Sequence, residues 1–253
     1  MKLSLSSEAA RDLSSRELLA GCVRRGLVGL ELYESDVANG DDGGLELGPS
    51  ELSEVARRLG VEVCGLYRRR LPAEAIAETA RMSAALSAPT VVPIGGLDRS
   101  ILPRTVEVFK EAGARLALAH GTDARVVEAI RWLIEPIPHS EVVCLAWEIR
   151  PGIDDPHRMP DVLEAAGDAL RYVRLYGGGP EAHAQAGLGI GTVMARLTLA
   201  RYAGPLVLTP SDLRYHQVWN AWLGRGGGWG CGSKQSDSST VALGSAPRAL
   251  ELR

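Results

Sequence analysis

The stretch GARLALAHGTDARVVEAIRWL, Gly113–Leu133, contains the unit from which the fold can be inferred. Alternating small apolar residues over Arg115–Ala119 predict a short buried strand. Gly121 ends that strand, and the apolar spacing of Asp123–Leu133 then predicts an amphipathic helix. A buried strand followed directly by a helix is typical of proteins with a parallel sheet whose faces are covered by helices.

This strand–helix unit recurs about eight times, which favours a barrel of the (β/α)₈ type. The predicted strands are Lys2–Ser6, Leu27–Tyr33, Val61–Tyr67, Thr90–Ile94, Arg115–Ala119, Val142–Trp147, Tyr172–Tyr176 and Leu206–Leu208. We therefore expect one α/β domain, a TIM-type barrel, over residues 1–224. An open doubly wound sheet is the alternative. It usually has fewer strands and a glycine-rich turn after the first, whereas the turn here reads SSEAARDL.

The composition changes from Gly224 onwards, where GRGGGWGCGSKQSDSST is rich in glycine and serine. This composition predicts a C-terminal tail over residues 225–253 in place of a ninth unit. The tail is expected either to be flexible or to pack along the barrel wall through Trp229 and Val241–Leu243.

Composition also narrows the class of partner. The chain has 253 residues, 45% of them hydrophobic and 23% charged, which suits a large folded core. The net charge of −3 and the lack of a strongly basic half argue against nucleic acid as a partner. The sequence shows neither a secretory leader nor a long apolar run, which predicts a cytoplasmic protein without a membrane partner. None of the four cysteines forms a CxxC pair, so a zinc knot is not expected.

Arginines stand at or near the ends of several predicted strands, where a barrel presents its functional groups. Arg68 follows the third strand, Arg150 follows the sixth, and Arg174 lies within the seventh. A guanidinium group matches a carboxylate or phosphate bidentately, so the pattern predicts an anionic ligand. A structural layer of salt bridges is the alternative. Tyr176 opens the loop YGGGP, Tyr176–Pro180, which suits phosphate binding through backbone N–H groups or is simply a flexible loop.

One longer stretch resembles a known family. GLGIGTVMARLTLARYAGPLVLTPSD, Gly187–Asp212, is similar to the last barrel unit of the xylose isomerase-like sugar-phosphate isomerase/epimerase superfamily. The segments MKLSLSS, GLVGLELYES and LSAPTVVPIGG resemble the family's first, second and fourth strands. The resemblance covers roughly residues 1–224 and implies a barrel that handles a small sugar or sugar phosphate.

The family typically holds one divalent metal at the barrel mouth through carboxylates and a His or Gln, with paired glutamates as acid and base. Here Ala119 and Thr209 stand where the resemblance expects glutamates on the fifth and eighth strands, and the seventh strand reads RLYG. Glu148 and His120 remain as ligands, and two ligands do not make a tight site. We therefore expect no resident metal and no cofactor. Glu31 ends the second strand, where the family has a glutamate that is often structural.

Two functions stay open. The first is a sugar isomerase or epimerase in which Glu148 and His120 transfer protons. Its substrate-binding residues would be Arg68, Arg150, Arg174 and Tyr176. The second is a barrel that has lost catalysis and binds a ligand or a partner; a homodimer is left open in either case. For His120 the alternative is a structural role, in which it caps the helix entry or bonds a backbone carbonyl. Replacing Arg174 with Met is expected to abolish binding with little loss of stability.

Overall fold

The structure is a computed structural model, and it describes residues 1–10, 13–33, 47–150, 154, 156–177 and 190–210. Within them, eight parallel strands close into a barrel in chain order, with the first strand paired to the eighth. The strands are β1 Lys2–Ser6, β2 Gly29–Tyr33, β3 Glu62–Tyr67, β4 Thr90–Pro93, β5 Leu116–His120, β6 Val143–Ile149, β7 Leu170–Gly177 and β8 Pro205–Pro210. The predicted (β/α)₈ barrel is confirmed, and the open sheet is excluded.

Helices alternate with the strands and cover the outside of the barrel. They are α1 Ser15–Arg24, α2 Pro49–Arg58, α3 Ile76–Leu86, α4 Leu102–Glu111, α5 Ala124–Ile134, α6 Met159–Ala166 and α7 Ile190–Leu199. The tail predicted over residues 225–253 lies outside the described residues, and the domain boundary at residue 224 stays a prediction.

Local sequence signals explain where several helices begin and end. The N–H of Glu17 donates to Ser14 Oγ at 3.3 Å, and the Glu17 carboxylate accepts from the Ser14 N–H at 2.9 Å, which is a capping box at the start of α1. Asp123 caps α5 by accepting a hydrogen bond from the Arg125 N–H at 3.0 Å. Gly113 follows α4 with a φ of +69°, a left-handed conformation that favours glycine.

Alternation along the strands separates the packing outside the barrel from the packing inside it. On β5, Leu116 and Leu118 belong to the large apolar core between barrel and helices, whereas Ala117 and Ala119 belong to the smaller cluster inside the barrel. The interior cluster is Tyr33, Cys64, Tyr67, Val91, Ala117, Ala119, Cys144, Ala146, Tyr172 and Val207. On β6, Trp147 and Ile149 face the outer core, so Glu148 between them faces the interior.

Four strands continue past their predicted ends: β5 through His120, β6 through Ile149, β7 through Gly177 and β8 through Pro210. Glu148 is therefore a strand residue, as Tyr176 is, and the sheet ladder fixes the positions of both. Glu148 pairs with Arg174, and Tyr176 pairs with Thr209.

Among the helices that the structure describes, none is both long and apolar enough to cross a bilayer.

Candidate functional site

A buried arginine lies at the centre of the candidate site. Arg174 on β7 has 0% of its surface exposed. Its Nη1 donates to Glu148 Oε1 at 3.0 Å, and its Nη2 donates to Glu31 Oε1 at 3.1 Å. Its Nε lies 3.0 Å from the second oxygen of Glu31, but outside hydrogen-bonding angles, and Glu8 Oε2 lies 3.8 Å from Nη2. These four residues, Arg174, Glu8, Glu31 and Glu148, are called the buried charge cluster below.

The cluster keeps Arg174 charged although water is excluded from it. Burial alone disfavours a charged guanidinium. The negative charges of Glu31 and Glu148, together with the phenol oxygen of Tyr176, outweigh burial and raise the pKa of Arg174 well above its usual range. Because a buried ion pair is costly unless its remaining donors and acceptors are satisfied, this geometry indicates a structural interaction that is sensitive to the loss of either partner.

Two tyrosines on β7 satisfy carboxylate oxygens of the cluster. The Tyr172 hydroxyl donates to Glu31 Oε2 at 2.8 Å. The Tyr176 hydroxyl donates to Glu148 Oε1 at 2.9 Å and accepts from Arg174 Nη1. Burial raises the pKa of both phenols, so both remain protonated donors at neutral pH. The two carboxylates therefore accept hydrogen bonds from phenols as well as from the guanidinium.

Aromatic rings line one side of the guanidinium. The Cζ of Arg174 lies 3.4 Å from the ring centroid of Tyr67, a close cation–π contact. The Tyr33 ring stacks on Tyr67 with 5.8 Å between centroids. Burial raises the pKa of Tyr67 to about 12. Neutral aromatic rings therefore cover the side of the Arg174 guanidinium that the carboxylates do not contact.

Arg150 lies at the β6 edge of the cluster and reaches the solvent. Its Nη2 is 3.5 Å from Glu148 Oε2, and its Cζ lies 5.1 Å from the ring centroid of Tyr176. Its side chain is 54% exposed. The ion pair and the ring position the guanidinium, while its exposed edge remains open to solvent.

Arg69 takes the corresponding place after β3. Its Nη2 donates to Glu8 Oε1 at 3.2 Å, its Cζ lies 5.5 Å from the ring centroid of Tyr33, and its side chain is 60% exposed. Arg69 and Arg150, called the flanking arginines below, follow strands on different sides of the barrel. Both stand at its carboxyl-terminal mouth, where functional groups of this fold gather.

The structure brings together four of the six residues that the sequence predicted for the site. Glu148, Arg174 and Tyr176 form direct contacts, and Arg150 touches both Glu148 and Tyr176. Arg174, however, is fully buried and paired, so it is positioned to hold carboxylates and not to face solvent. Because of that burial, and in contrast to the prediction from the sequence, we expect replacement of Arg174 by Met to lower the stability of the protein.

His120 lies on a different face from these residues. It ends β5 on the same side as Leu118, which packs in the outer core, while Ala119 faces the barrel interior. Its Nδ1 is 2.8 Å from the carbonyl oxygen of Gly121, and its Nε2 is buried without a hydrogen-bond partner among the described residues. Burial lowers the pKa of His120. The contact with a backbone carbonyl suits the structural alternative, and the predicted proton-transfer role stays a prediction.

Arg68 lies apart from these four residues, and its predicted role in substrate binding stays a prediction. Its Nη1 donates to Thr79 Oγ1 on α3 at 2.6 Å. Because side chains alternate across a strand and its continuation, Tyr67 points inward, Arg68 outward and Arg69 towards the mouth. The same alternation could have identified Arg69 from the sequence. Glu8 carried no such signal, because it lies in a 3₁₀ turn after β1.

The described residues do not fit the divalent metal that the family resemblance implies. Ala119 and Thr209 occupy interior positions without a carboxylate, and the oxygens of Glu31 and Glu148 already contact Arg174 and the two phenols. A hard divalent cation needs several oxygen ligands with free lone pairs. No group of three or more His, Cys, Asp or Glu side chains among the described residues is arranged to hold a metal ion.

Two cavities lie at the opposite, amino-terminal end of the barrel. Their volumes are about 640 and 210 Å³, and both are lined by Lys2, Glu62 and Val63 at or near strand starts. They are separate from the charged mouth. Since active sites of this fold lie at the carboxyl ends of the strands, we place the candidate site at the mouth.

Comparison with known proteins finds solved structures with a similar fold but no protein that matches in sequence. No family model matches the chain, and no curated protein matches it. Among solved structures, D-psicose 3-epimerase from Clostridium cellulolyticum H10, determined with D-tagatose, is similar with a TM-score of 0.61 and 11% identity over 87% of this chain and 90% of that one. An L-ribulose 3-epimerase gives a TM-score of 0.61 and 14% identity over 88% of this chain and 93% of that one.

A third similar structure is a xylose isomerase domain protein from Planctomyces limnophilus, with a TM-score of 0.55 and 9% identity over 87% of this chain and 92% of that one. The chain has the fold of sugar isomerases and epimerases. The resemblance stated from the sequence is therefore confirmed at the level of fold. At identities this low, shared fold does not carry shared chemistry, so function has to be argued from the mouth itself.

Proposed function

We propose that this protein binds a small sugar bearing an anionic group, such as a sugar phosphate, at the mouth of its barrel. The observation that carries the proposal is the pair of flanking arginines. Each is held by an ion pair and a tyrosine ring while more than half of its side chain remains exposed. A guanidinium positioned in this way can donate two parallel hydrogen bonds to a phosphate or carboxylate.

The surroundings of the flanking arginines suit a polyol. Tyr176 is partly exposed, and the side chain of Glu148 keeps 8% exposure beside it. Tyrosine rings and ion-paired carboxylates commonly form the polar and aromatic contacts of small-ligand sites. The similar structures named as D-psicose and L-ribulose epimerases support a sugar as the ligand class.

The contacts of the two carboxylates favour a protein that binds a sugar without isomerising it. An epimerase of this type needs a carboxylate that is free to accept a proton. Glu31 is fully buried beneath Arg174, and Glu148 contacts Arg174, Tyr176 and Arg150. Both carboxylates are therefore engaged in holding charges and hydroxyl groups. This arrangement favours the non-catalytic alternative.

One observation favours an isomerase as the second candidate. Glu148 Oε2 contacts the half-exposed Arg150 at 3.5 Å, whereas Oε1 is held by the buried groups. A ligand anion that draws Arg150 away would free Oε2 to take a proton from a sugar carbon. If so, the purified protein should exchange a sugar C–H with deuterium in D₂O, and Glu148→Gln should abolish the exchange while sparing binding.

Calorimetric titration of aldose and ketose phosphates, with the neutral sugars alongside, tests the proposed binding. We expect the phosphates to bind more tightly than the neutral sugars. Hydrogen bonds to charged groups contribute about 1.5–3 kcal/mol. Arg150→Met or Arg69→Met, whichever removes the arginine that holds the phosphate, should therefore weaken phosphate binding about tenfold or more.

Arg58→Met is the matched control, since Arg58 is also exposed and paired with a glutamate, but on α2. It should bind like the wild type. Equal affinity in all three variants, or no preference for phosphates over neutral sugars, contradicts the proposal.

A further inference from the structure

We infer that Arg174 is a built-in cation: its guanidinium fills the place at the barrel mouth where converging carboxylates would otherwise hold a divalent metal ion. The inference is independent of the proposed sugar binding. It concerns what holds the mouth together, and its test uses metal ions and a guanidinium compound instead of sugars.

Three carboxylates converge on this one group from separate parts of the chain. Glu8 lies in the turn after β1, Glu31 on β2 and Glu148 on β6, and their oxygens lie 3.8, 3.0 and 3.0 Å from the nearest guanidinium nitrogens. Their side chains are 8%, 0% and 8% exposed. Three buried carboxylates this close to one another would repel strongly without a cation between them.

Among the residues that the structure describes, the charges of this group balance without any further ion. The buried charge cluster has three carboxylates and one guanidinium, and the flanking arginines contact two of the carboxylates, Glu8 and Glu148, from the solvent side. Three positive groups therefore meet three negative ones. Adding a divalent ion would bury two excess positive charges, which a low-dielectric interior disfavours.

Arg174 is also a cation that cannot leave. The guanidinium is tethered by its own chain, so its effective concentration at the carboxylates is far higher than that of a free ion. It does not lose its proton in the accessible pH range. Its hydrogen bonds engage lone pairs of Glu31 and Glu148 that a metal ion would need. A free metal ion would have to displace a permanent, covalently attached competitor.

Removal of the guanidinium should therefore expose a site for a cation. Arg174→Ala removes the atoms of an N-ethylguanidinium ion and leaves Glu8, Glu31 and Glu148 around the vacated space. We expect this variant to bind one Mn²⁺ per chain, measured by calorimetry or by the loss of the free Mn²⁺ electron paramagnetic resonance signal. N-ethylguanidinium should compete with Mn²⁺ and raise the melting temperature of the variant to a plateau.

Controls separate this site from general surface binding. The wild type should neither bind Mn²⁺ stoichiometrically nor change its melting temperature with EDTA. Arg150→Ala, which removes a half-exposed guanidinium beside the same Glu148, should not gain a Mn²⁺ site. Arg174→Lys, which keeps a tethered positive charge, should not gain one either.

If Arg174→Ala does not fold in the absence of an added cation, the inference can still be tested. In that case, expression or refolding with Mn²⁺ or N-ethylguanidinium should recover folded protein, because either cation would replace the missing charge. The inference is overturned if the wild type binds one equivalent of Mn²⁺ at the mouth. It is equally overturned if the folded variant gains neither ligand, or if neither ligand recovers an unfolded one.

Discussion

The hydroxyl of Tyr172 allows the buried charge cluster to be tested by removing a single atom. Tyr172 is 1% exposed, and its hydroxyl donates to Glu31 Oε2 at 2.8 Å inside the barrel. Tyr172→Phe keeps the ring but leaves that carboxylate oxygen without its phenol donor. A hydrogen bond to a charged group contributes about 1.5–3 kcal/mol, so we expect the free energy of unfolding to fall by about that amount.

Tyr202→Phe is the matched control for this substitution. The Tyr202 hydroxyl also donates one short hydrogen bond, but to the neutral carbonyl oxygen of Pro205 at 2.7 Å. Its loss should cost about 0.5–1.5 kcal/mol. Urea unfolding of both variants gives the two values, and a double-mutant cycle of Tyr172→Phe with Glu31→Gln isolates the pairwise interaction. The reasoning is refuted if Tyr172→Phe lowers the free energy of unfolding no more than Tyr202→Phe does. It is also refuted if the interaction energy between Tyr172 and Glu31 from the cycle is near zero.

Two further predictions follow from buried positions near the mouth and inside the barrel. Burial lowers the pKa of His120 below its ordinary 6.5. As the pH falls below 6.5, the unfolded state therefore binds more protons than the folded state, and the free energy of unfolding decreases. Urea unfolding at about pH 7.5 and about pH 5.5 should therefore show that the free energy of unfolding falls more at the lower pH in the wild type than in His120→Gln. Equal decreases in the two proteins would contradict this prediction. A Cβ on Gly65 would lie 2.4 Å from the Tyr172 hydroxyl, whereas one on Gly95 would meet nothing within 4 Å. Gly65→Ala should thus lower the free energy of unfolding by about 1–3 kcal/mol through overpacking, more than Gly95→Ala does, and similar stability of the two variants would show that the barrel interior yields to the added methyl group.

The fold was largely predictable because its signals are local and repeated. The strand predicted at Lys2–Ser6 agrees with β1 at both ends, and the helix predicted over Asp123–Leu133 corresponds to α5, Ala124–Ile134. The ends of β6 and β7 were missed by a few residues. Glu148 interrupts the apolar pattern just past the predicted end of β6, because it pairs with Arg174 inside the barrel.

The site was predictable only in part, because its contacts join residues that are far apart in sequence. Arg150 and Tyr176 could be proposed from their positions at strand ends. The contact of Arg174 with Glu31 spans 143 positions and depends on closure of the barrel, which no local pattern encodes. Glu8 reaches the same group from a turn. Within the run YRRR, only the alternation of side chains along the strand distinguishes Arg69, which reaches the mouth, from Arg68, which contacts α3.

A crystal structure determined with a sugar phosphate and Mn²⁺ together, with anomalous scattering recorded for manganese, tests the central claim most directly. We predict that the phosphate lies against Arg69 or Arg150 and that the sugar lies over Tyr176 and Glu148. We also predict no manganese peak inside the mouth, where the guanidinium of Arg174 remains between the carboxylates. A manganese ion bound by Glu31 or Glu148 with Arg174 displaced, or a sugar phosphate bound only elsewhere on the protein, would contradict the account.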